Sequence, residues 1–143
     1  LEGRIAALEG GTAALAVASG HAAQFLTFHT LLEPGDEFVA GRQLYGGSIN
    51  QFNHSFKKFD WNVKWADALD PASFEKAITP RTRAIFCESI ANPGGIVVDL
   101  PAVAKIAKNI DQRPERQNAQ RDARVGVWPA IDDQNNSKQQ EQI

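Results

Sequence analysis

Residues 83–89 read RAIFCES. Ala84 to Cys87 are apolar without interruption, and the run closes on Glu88 and Ser89. A strand with one face in water alternates in polarity, whereas a strand covered on both faces is apolar throughout. RAIFCES is therefore expected to be a buried strand of a parallel sheet, with its polar carboxyl end at a loop. The neighbouring sequence fits that reading. DPASFEKAI (70–78) has a capping aspartate, a proline in the first turn and a helical pattern. NVKWA (62–66) alternates Val63 and Trp65, as a strand does. EFVA (37–40) reads as a short buried strand after the stop and turn EPGD (33–36). LYGGS (44–48) reads as a loop, followed by a helix with Ile49, Phe52 and Phe56 on one side. Towards the N-terminus, Ser19 suits a helix cap, and Ala22, Phe25, Leu26, His29 and Leu32 follow at helical spacing. A first helix carries Leu1, Ile5 and Leu8 on one face and stops at Gly10-Gly11. Beyond RAIFCES, NPGG (92–95) is a turn, IVVD is a short extended piece, and Pro101 opens another helix.

This alternation of helices and strands argues for an α/β domain with a mainly parallel sheet. In such sheets ligands sit at the carboxyl ends of the strands. The junctions at Ser19-Gly20, Leu44–Ser48 and Glu88–Pro93 are therefore the places to look.

The bulk properties narrow the classes. The chain has 143 residues, 43% hydrophobic and 22% charged, enough for one ordinary soluble core. A net charge of −2 argues against a general nucleic-acid or membrane-surface binder. Cys87 is the single cysteine, which leaves no internal disulfide and favours a cytoplasmic home. No apolar run approaches the roughly 18 residues of a membrane helix, and LEGRIAALEGG lacks the basic-then-apolar pattern of a signal peptide. There is no methionine, and the first helix begins at residue 1 without a cap. An internal fragment of a longer gene product is the expectation. Residues 109–143 differ from the rest: they hold seven glutamines, against three (Gln24, Gln43 and Gln51) in residues 1–108. Their apolar island is VGVWPAI (125–131). This stretch is expected to be a disordered tail.

Three constellations carry possible chemistry. At Ser19-Gly20-His21, a helix start offers backbone amides without internal partners and a partial positive charge, and glycine lets an anion approach closely. The alternative is a plain cap with His21 as a first-turn residue. Tyr45, the single tyrosine, precedes two glycines. It is suited to stack on a planar cofactor and to use its hydroxyl in acid–base work, or else it is a core aromatic beside a turn. Glu88 and Asn92 follow the predicted buried strand, and Pro93 biases Asn92 to an extended backbone. A fixed amide there suits a ligand oxygen or simply a turn. Cys87 reads as a small buried apolar residue rather than a nucleophile. His29 and His54 show no metal-ligand spacing, so no metal site is expected.

Taken in order, LEGRIAALEGGTAALAVASGHAAQ, LLEPGD, LYGGS and TRAIFCESIANPGG closely resemble the Cys/Met-metabolism family of pyridoxal-phosphate (PLP) enzymes. SGHAAQ, LYGGSINQF, WNVKWAD and ESIANPGG look most like its branch acting on O-acetyl-L-homoserine. The resemblance covers residues 1–108. It implies part of the large PLP-binding domain of the fold-type I, aspartate-aminotransferase-like architecture, with helices on both faces of the sheet. It also implies roles. The Ser19-Gly20-His21 junction, through the amides of Gly20 and His21, would hold the PLP phosphate. Tyr45 would stack on the pyridine ring and take part in acid–base steps. Asn92 would hydrogen-bond the ring's 3′ oxygen, and Glu88 would support the pocket. The implied reaction is γ-replacement on O-acetyl-L-homoserine by sulfide or methanethiol, giving L-homocysteine or L-methionine plus acetate. The implied assembly is a homo-oligomer of the tetramer-of-dimers type.

The sequence departs from the family pattern at three places. The Schiff-base lysine of a Ser-x-x-Lys segment has no counterpart, since Ser137-Lys138 lacks the spacing. The aspartate of a VDNT-type strand is echoed only faintly by Asp133 in GVWPAIDDQNN. The ERNPT-type segment that would precede Leu1 is not in the sequence. The chain is accordingly expected not to attach PLP covalently. Two alternatives stand beside the implied activity: a non-catalytic α/β remnant, and the O-succinylhomoserine, cystathionine-forming branch of the same family.

Overall fold

A computed structural model describes residues 1–91 and 93–111; Asn92 and residues 112–143, which hold most of the glutamine-rich stretch, lie outside the described residues. The elements are α1 (Glu2–Leu8), α2 (Gly20–Leu31), β1 (Glu37–Gly41), α3 (Gly46–Asn50), β2 (Asn62–Ala66), α4 (Pro71–Ala77), β3 (Thr82–Phe86), β4 (Ile90–Ala91), β5 (Ile96–Val97) and α5 (Leu100–Asp111). The main sheet is parallel in the order β2-β1-β3. β1 lies in the centre, and all five of its residues are buried.

The period-2 geometry of a strand divides the core in two. Phe38, Ala40 and Ala84 point to one face and pack with Phe28 of α2, with Leu32 just past its end, and with Phe52, Phe56 and Trp61. Val39, Ala66 and Ile85 point to the other face and pack with Phe74 of α4 and with Val103 and Ala107 of α5. Helices therefore cover both faces, the arrangement that apolar strands require. The first face is aromatic: the Phe52 ring lies 5.0 Å from Phe38, 5.2 Å from Phe56 and 5.2 Å from Phe86 between centroids.

At the amino ends of the strands, the side chain of Glu37 is 1% exposed and carries a charge. Arg81 Nη2 donates to its Oε1 at 2.5 Å and Thr79 Oγ1 donates to its Oε2 at 2.6 Å. Lys64 Nζ stands 3.5 Å away. Burial pushes the Glu37 carboxyl up, but the Thr79 hydrogen bond and the charges of Lys64 and Arg81 outweigh it and hold the group below its ordinary value.

The structure corrects three boundaries. LYGGS is not a loop throughout: α3 begins at Gly46, and the amides of Ser48 and Ile49 both donate to Tyr45 O, at 2.9 and 3.2 Å. The chain then widens into a π-helical turn (Gln51–Ser55) and tightens into a 3-10 turn (Phe56–Phe59), ending at Asp60 with φ 57°. These changes of pitch bring both Phe52 and Phe56 fully into the core. RAIFCES does not stay in the sheet to Ser89; β3 ends at Phe86 and releases Glu88 into the following loop. The extended piece after the turn forms an antiparallel hairpin, Ile90 with Val97 and Ala91 with Ile96. Gly94 (φ 105°) and Gly95 (φ 63°) turn it, in a region that residues with a Cβ rarely enter.

Among the described residues β3 pairs only with β1, so its other edge is free. A cavity of about 360 Å³ lies along it, lined by Ala13, Leu15 and Val17 of an extended segment, by Leu31 of α2, and by Ile85 and Cys87. Leu1, Leu8 and Leu15 are exposed nearby in sequence, at 87%, 81% and 75%.

Candidate functional site

Three junctions meet at the carboxyl end of the sheet. The first is the start of α2. Ser19 is extended (φ −162°, ψ 163°), and its Oγ accepts from Ala22 N at 3.1 Å, while its carbonyl accepts from Ala23 N at 3.0 Å. Ser19 is thus the N-cap, and its hydroxyl serves the helix itself. The amides of Gly20 and His21 precede those bonds and have no turn of helix before them to supply a carbonyl. A Cβ placed on Gly20 would meet nothing within 4 Å, and Gly20 and His21 are both exposed. Two backbone donors with the positive end of a helix dipole form a cradle for an anion.

The second junction is the entry to α3. The ring of Tyr45 is stacked on that of His21, with centroids 5.9 Å apart and planes 28° apart. Tyr45 remains 52% exposed, so a ring face is open beside the start of α2. The third junction follows β3. Glu88 Oε1 accepts the Tyr45 N–H at 3.0 Å, which pins the tyrosine's backbone to the strand behind it. Of the six predicted residues, five are therefore brought to one place: Ser19, Gly20, His21, Tyr45 and Glu88. Asn92 lies outside the described residues.

Sequence reasoning missed the residues that tie these junctions together. Gln51 Nε2 donates to His21 O at 3.1 Å, and Gln24 Nε2 donates to Ser48 Oγ at 2.9 Å. These bonds fasten the first turns of α2 to α3 and to the π-helical turn that follows it. A glutamine carries no sequence signal for such a link; its distance in sequence, 24 or 30 residues, is bridged only by the fold. Cys87, one residue before Glu88, faces an apolar surround, and burial pushes its thiol up to about 11. It packs against the second core, and its surround disfavours the thiolate. Among the described residues no cluster of His, Cys, Asp and Glu is placed to hold a metal, and no helix is long and apolar enough to cross a membrane.

Residues 1–113 match the Cys/Met metabolism PLP-dependent enzyme family. The chain belongs to that family. Among curated relatives, it is 44% identical to the O-acetyl-L-homoserine sulfhydrylase of Leptospira meyeri over 110 residues, 77% of this chain and 25% of that protein. It is 45% identical to the L-methionine gamma-lyase of Pseudomonas putida over 108 residues, 76% of this chain and 27% of that one. Among solved structures, it resembles the O-acetylhomoserine (thiol)-lyase of Campylobacter jejuni subsp. jejuni, solved with N′-pyridoxyl-lysine-5′-monophosphate. That match has a TM-score of 0.74 at 35% identity and covers 77% of this chain and 27% of the other. The fold is that of part of a fold-type I PLP enzyme, an α/β domain built on a parallel sheet. This PLP-family chain spans about a quarter of the length of the curated relatives it matches.

The residues present suit two portions of the family's cofactor. The exposed start of α2 at Gly20 and His21 presents the positive end of a helix dipole, which suits an anionic group. The open face of Tyr45 suits a pyridine ring. The three junctions contain no lysine, and Lys64 stands at the opposite end of the sheet beside Glu37.

Proposed function

We propose that the chain is the phosphate- and ring-binding portion of an enzyme for γ-replacement on O-acetyl-L-homoserine. Sulfide or methanethiol would be the incoming nucleophile, and L-homocysteine or L-methionine plus acetate the products. The observation that carries the reading is the meeting of three separate junctions: the His21–Tyr45 stack at the start of α2, with Tyr45 fixed by Glu88. PLP, when bound, supplies an electron sink that lets protons leave the carbons next to the amino group. The chain's own residues bind and orient. The Gly20 and His21 amides would hold the phosphate, and Ser19 would keep those amides aligned by capping the helix. Tyr45 would cover one face of the ring, and Glu88 would keep its backbone in place. Asn92 would hydrogen-bond the ring's 3′ oxygen. An α-helix start and an exposed phenol would form a reversible site, since neither junction supplies a lysine for covalent attachment.

The sulfhydrylase reading rests on the 44% identity to the Leptospira meyeri enzyme. The relatives also include an L-methionine gamma-lyase, at 45% identity over 76% of this chain. A cytoplasmic homo-oligomer acting on small molecules is the accompanying proposal. The test is equilibrium dialysis of pyridoxal 5′-phosphate against the full chain, followed by borohydride reduction and peptide mapping. Saturable binding that inorganic phosphate displaces, with no single lysine carrying the label, is expected. Stoichiometric label on one lysine would overturn the reversible reading, and non-saturable binding would overturn the site itself.

A further inference from the structure

Gly46 and Gly47 look interchangeable in the sequence, and the fold makes them opposites. Both lie in α3 and neither has a positive φ. A Cβ on Gly46 would meet nothing within 4 Å. A Cβ on Gly47 would collide with Tyr45 Cε1 and would come within 2.8 Å of His21 Cε1 and 2.9 Å of His21 Nε2. Real Cβ atoms do not tolerate such approaches, so something must move. What lies in the way is not backbone but the ends of two side chains. Tyr45 is half exposed and its ring has solvent to swing into. Nothing in the local backbone opposes an alanine, which suits a helix better than glycine.

We propose that Gly47 is a positioning residue for Tyr45: the missing side chain leaves a notch in which the Tyr45 and His21 rings settle together beside the start of α2. The Glu88 bond fixes only the tyrosine's backbone, at its N–H. The direction of the ring is left to side-chain packing, and Gly47 and His21 supply it. The Gln51 bond to His21 O holds α2 against this turn, so the notch has a fixed second wall. A ring fixed in advance loses less freedom on stacking a planar ligand than a ring that samples solvent. Gly47 therefore acts on recognition of the ring and not on recognition of an anion, which falls to the α2 amides.

The matched pair Gly47→Ala and Gly46→Ala in the full chain tests this. The first readout needs no ligand. Tyr45 is the single tyrosine, and its ring resonances and those of His21 carry mutual ring-current shifts. Gly47→Ala should abolish those shifts and their cross-relaxation, while Gly46→Ala should keep both. The second readout rests on the cofactor reading above and compares two probes. Gly47→Ala should weaken pyridoxal 5′-phosphate binding about tenfold, the scale of one lost ring stack. Inorganic phosphate binding should stay within about twofold in both variants. Unchanged His21–Tyr45 shifts in Gly47→Ala would overturn the proposal, as would an equal effect of the two alanines. Failure of the wild-type chain to bind pyridoxal 5′-phosphate would overturn the cofactor reading instead, and the ring-current comparison would still decide the role of Gly47.

Discussion

Glu37→Gln removes a charge from the buried end of the central strand and keeps the side chain's shape. In the native chain the carboxylate accepts from Thr79 at 2.6 Å and from Arg81 at 2.5 Å, with Lys64 at 3.5 Å. Hydrogen bonds to a charged acceptor contribute roughly 1 kcal/mol more than neutral ones. The Thr79 bond, inside the fold, should lose that full difference. The Arg81 and Lys64 side chains are 66% and 44% exposed, so water screens their attraction and each adds a few tenths at most. The expected cost is therefore about 1–2 kcal/mol at neutral pH. The sign of the pH dependence follows from the direction of the shift. A carboxyl held below its ordinary value of 4.5 in the folded state stabilises the fold above that value and ceases to do so as pH falls through the lower folded value. Urea unfolding of the full chain, followed by tryptophan fluorescence, should show wild type more stable than the variant at neutral pH. The gap should narrow in acid, below 4.5. A gap that is constant with pH would show that shape and not charge carries the contribution. A variant at least as stable as wild type at neutral pH would show that the cost of burying the charge exceeds what its three partners return.

Phe52 touches five other rings in the first core, and Phe52→Ala should cost about 3–5 kcal/mol. Against the roughly 5–15 kcal/mol of an ordinary domain, the urea midpoint should fall steeply, with Phe52→Leu intermediate. Cys87, with its thiol pushed up to about 11, should react slowly with a disulfide reagent in the folded chain and speed up on unfolding. Ser19→Ala removes the cap on Ala22 N and should cost about 1 kcal/mol. Amide exchange should quicken in the first turn of α2 before it does elsewhere.

The alternation that fixes the α/β class was legible because each strand is short, apolar and bounded by turn residues. The caps at Ser19 and Asp70 were legible for the same local reason: both side chains bond an amide two or three residues on. What escaped is what depends on distance. The start of α3 at Gly46 was not readable, because two glycines are poor helix formers and the turn is held by Phe52 and Phe56 reaching into a core built by other elements. The β4–β5 hairpin has only two residues per strand, too few for a period to show. The candidate site divides similarly. The residue types at Ser19-Gly20-His21 stood out at a helix start, and those at Tyr45 and Glu88 after strands. The Glu88 bond to Tyr45, the glutamine ties and the approach of His21 to Gly47 exist only once 20 or more residues of intervening chain have been folded away.

β1 is a strand of five residues, about 16 Å long at the usual rise. Glu37 sits at one end of it, and the turn leading to Tyr45 leaves from the other. The buried charge cluster and the tyrosine turn are thus held at opposite terminals of the same short rod. A substitution at the ionic end is separated from the Tyr45 ring by the whole length of the strand.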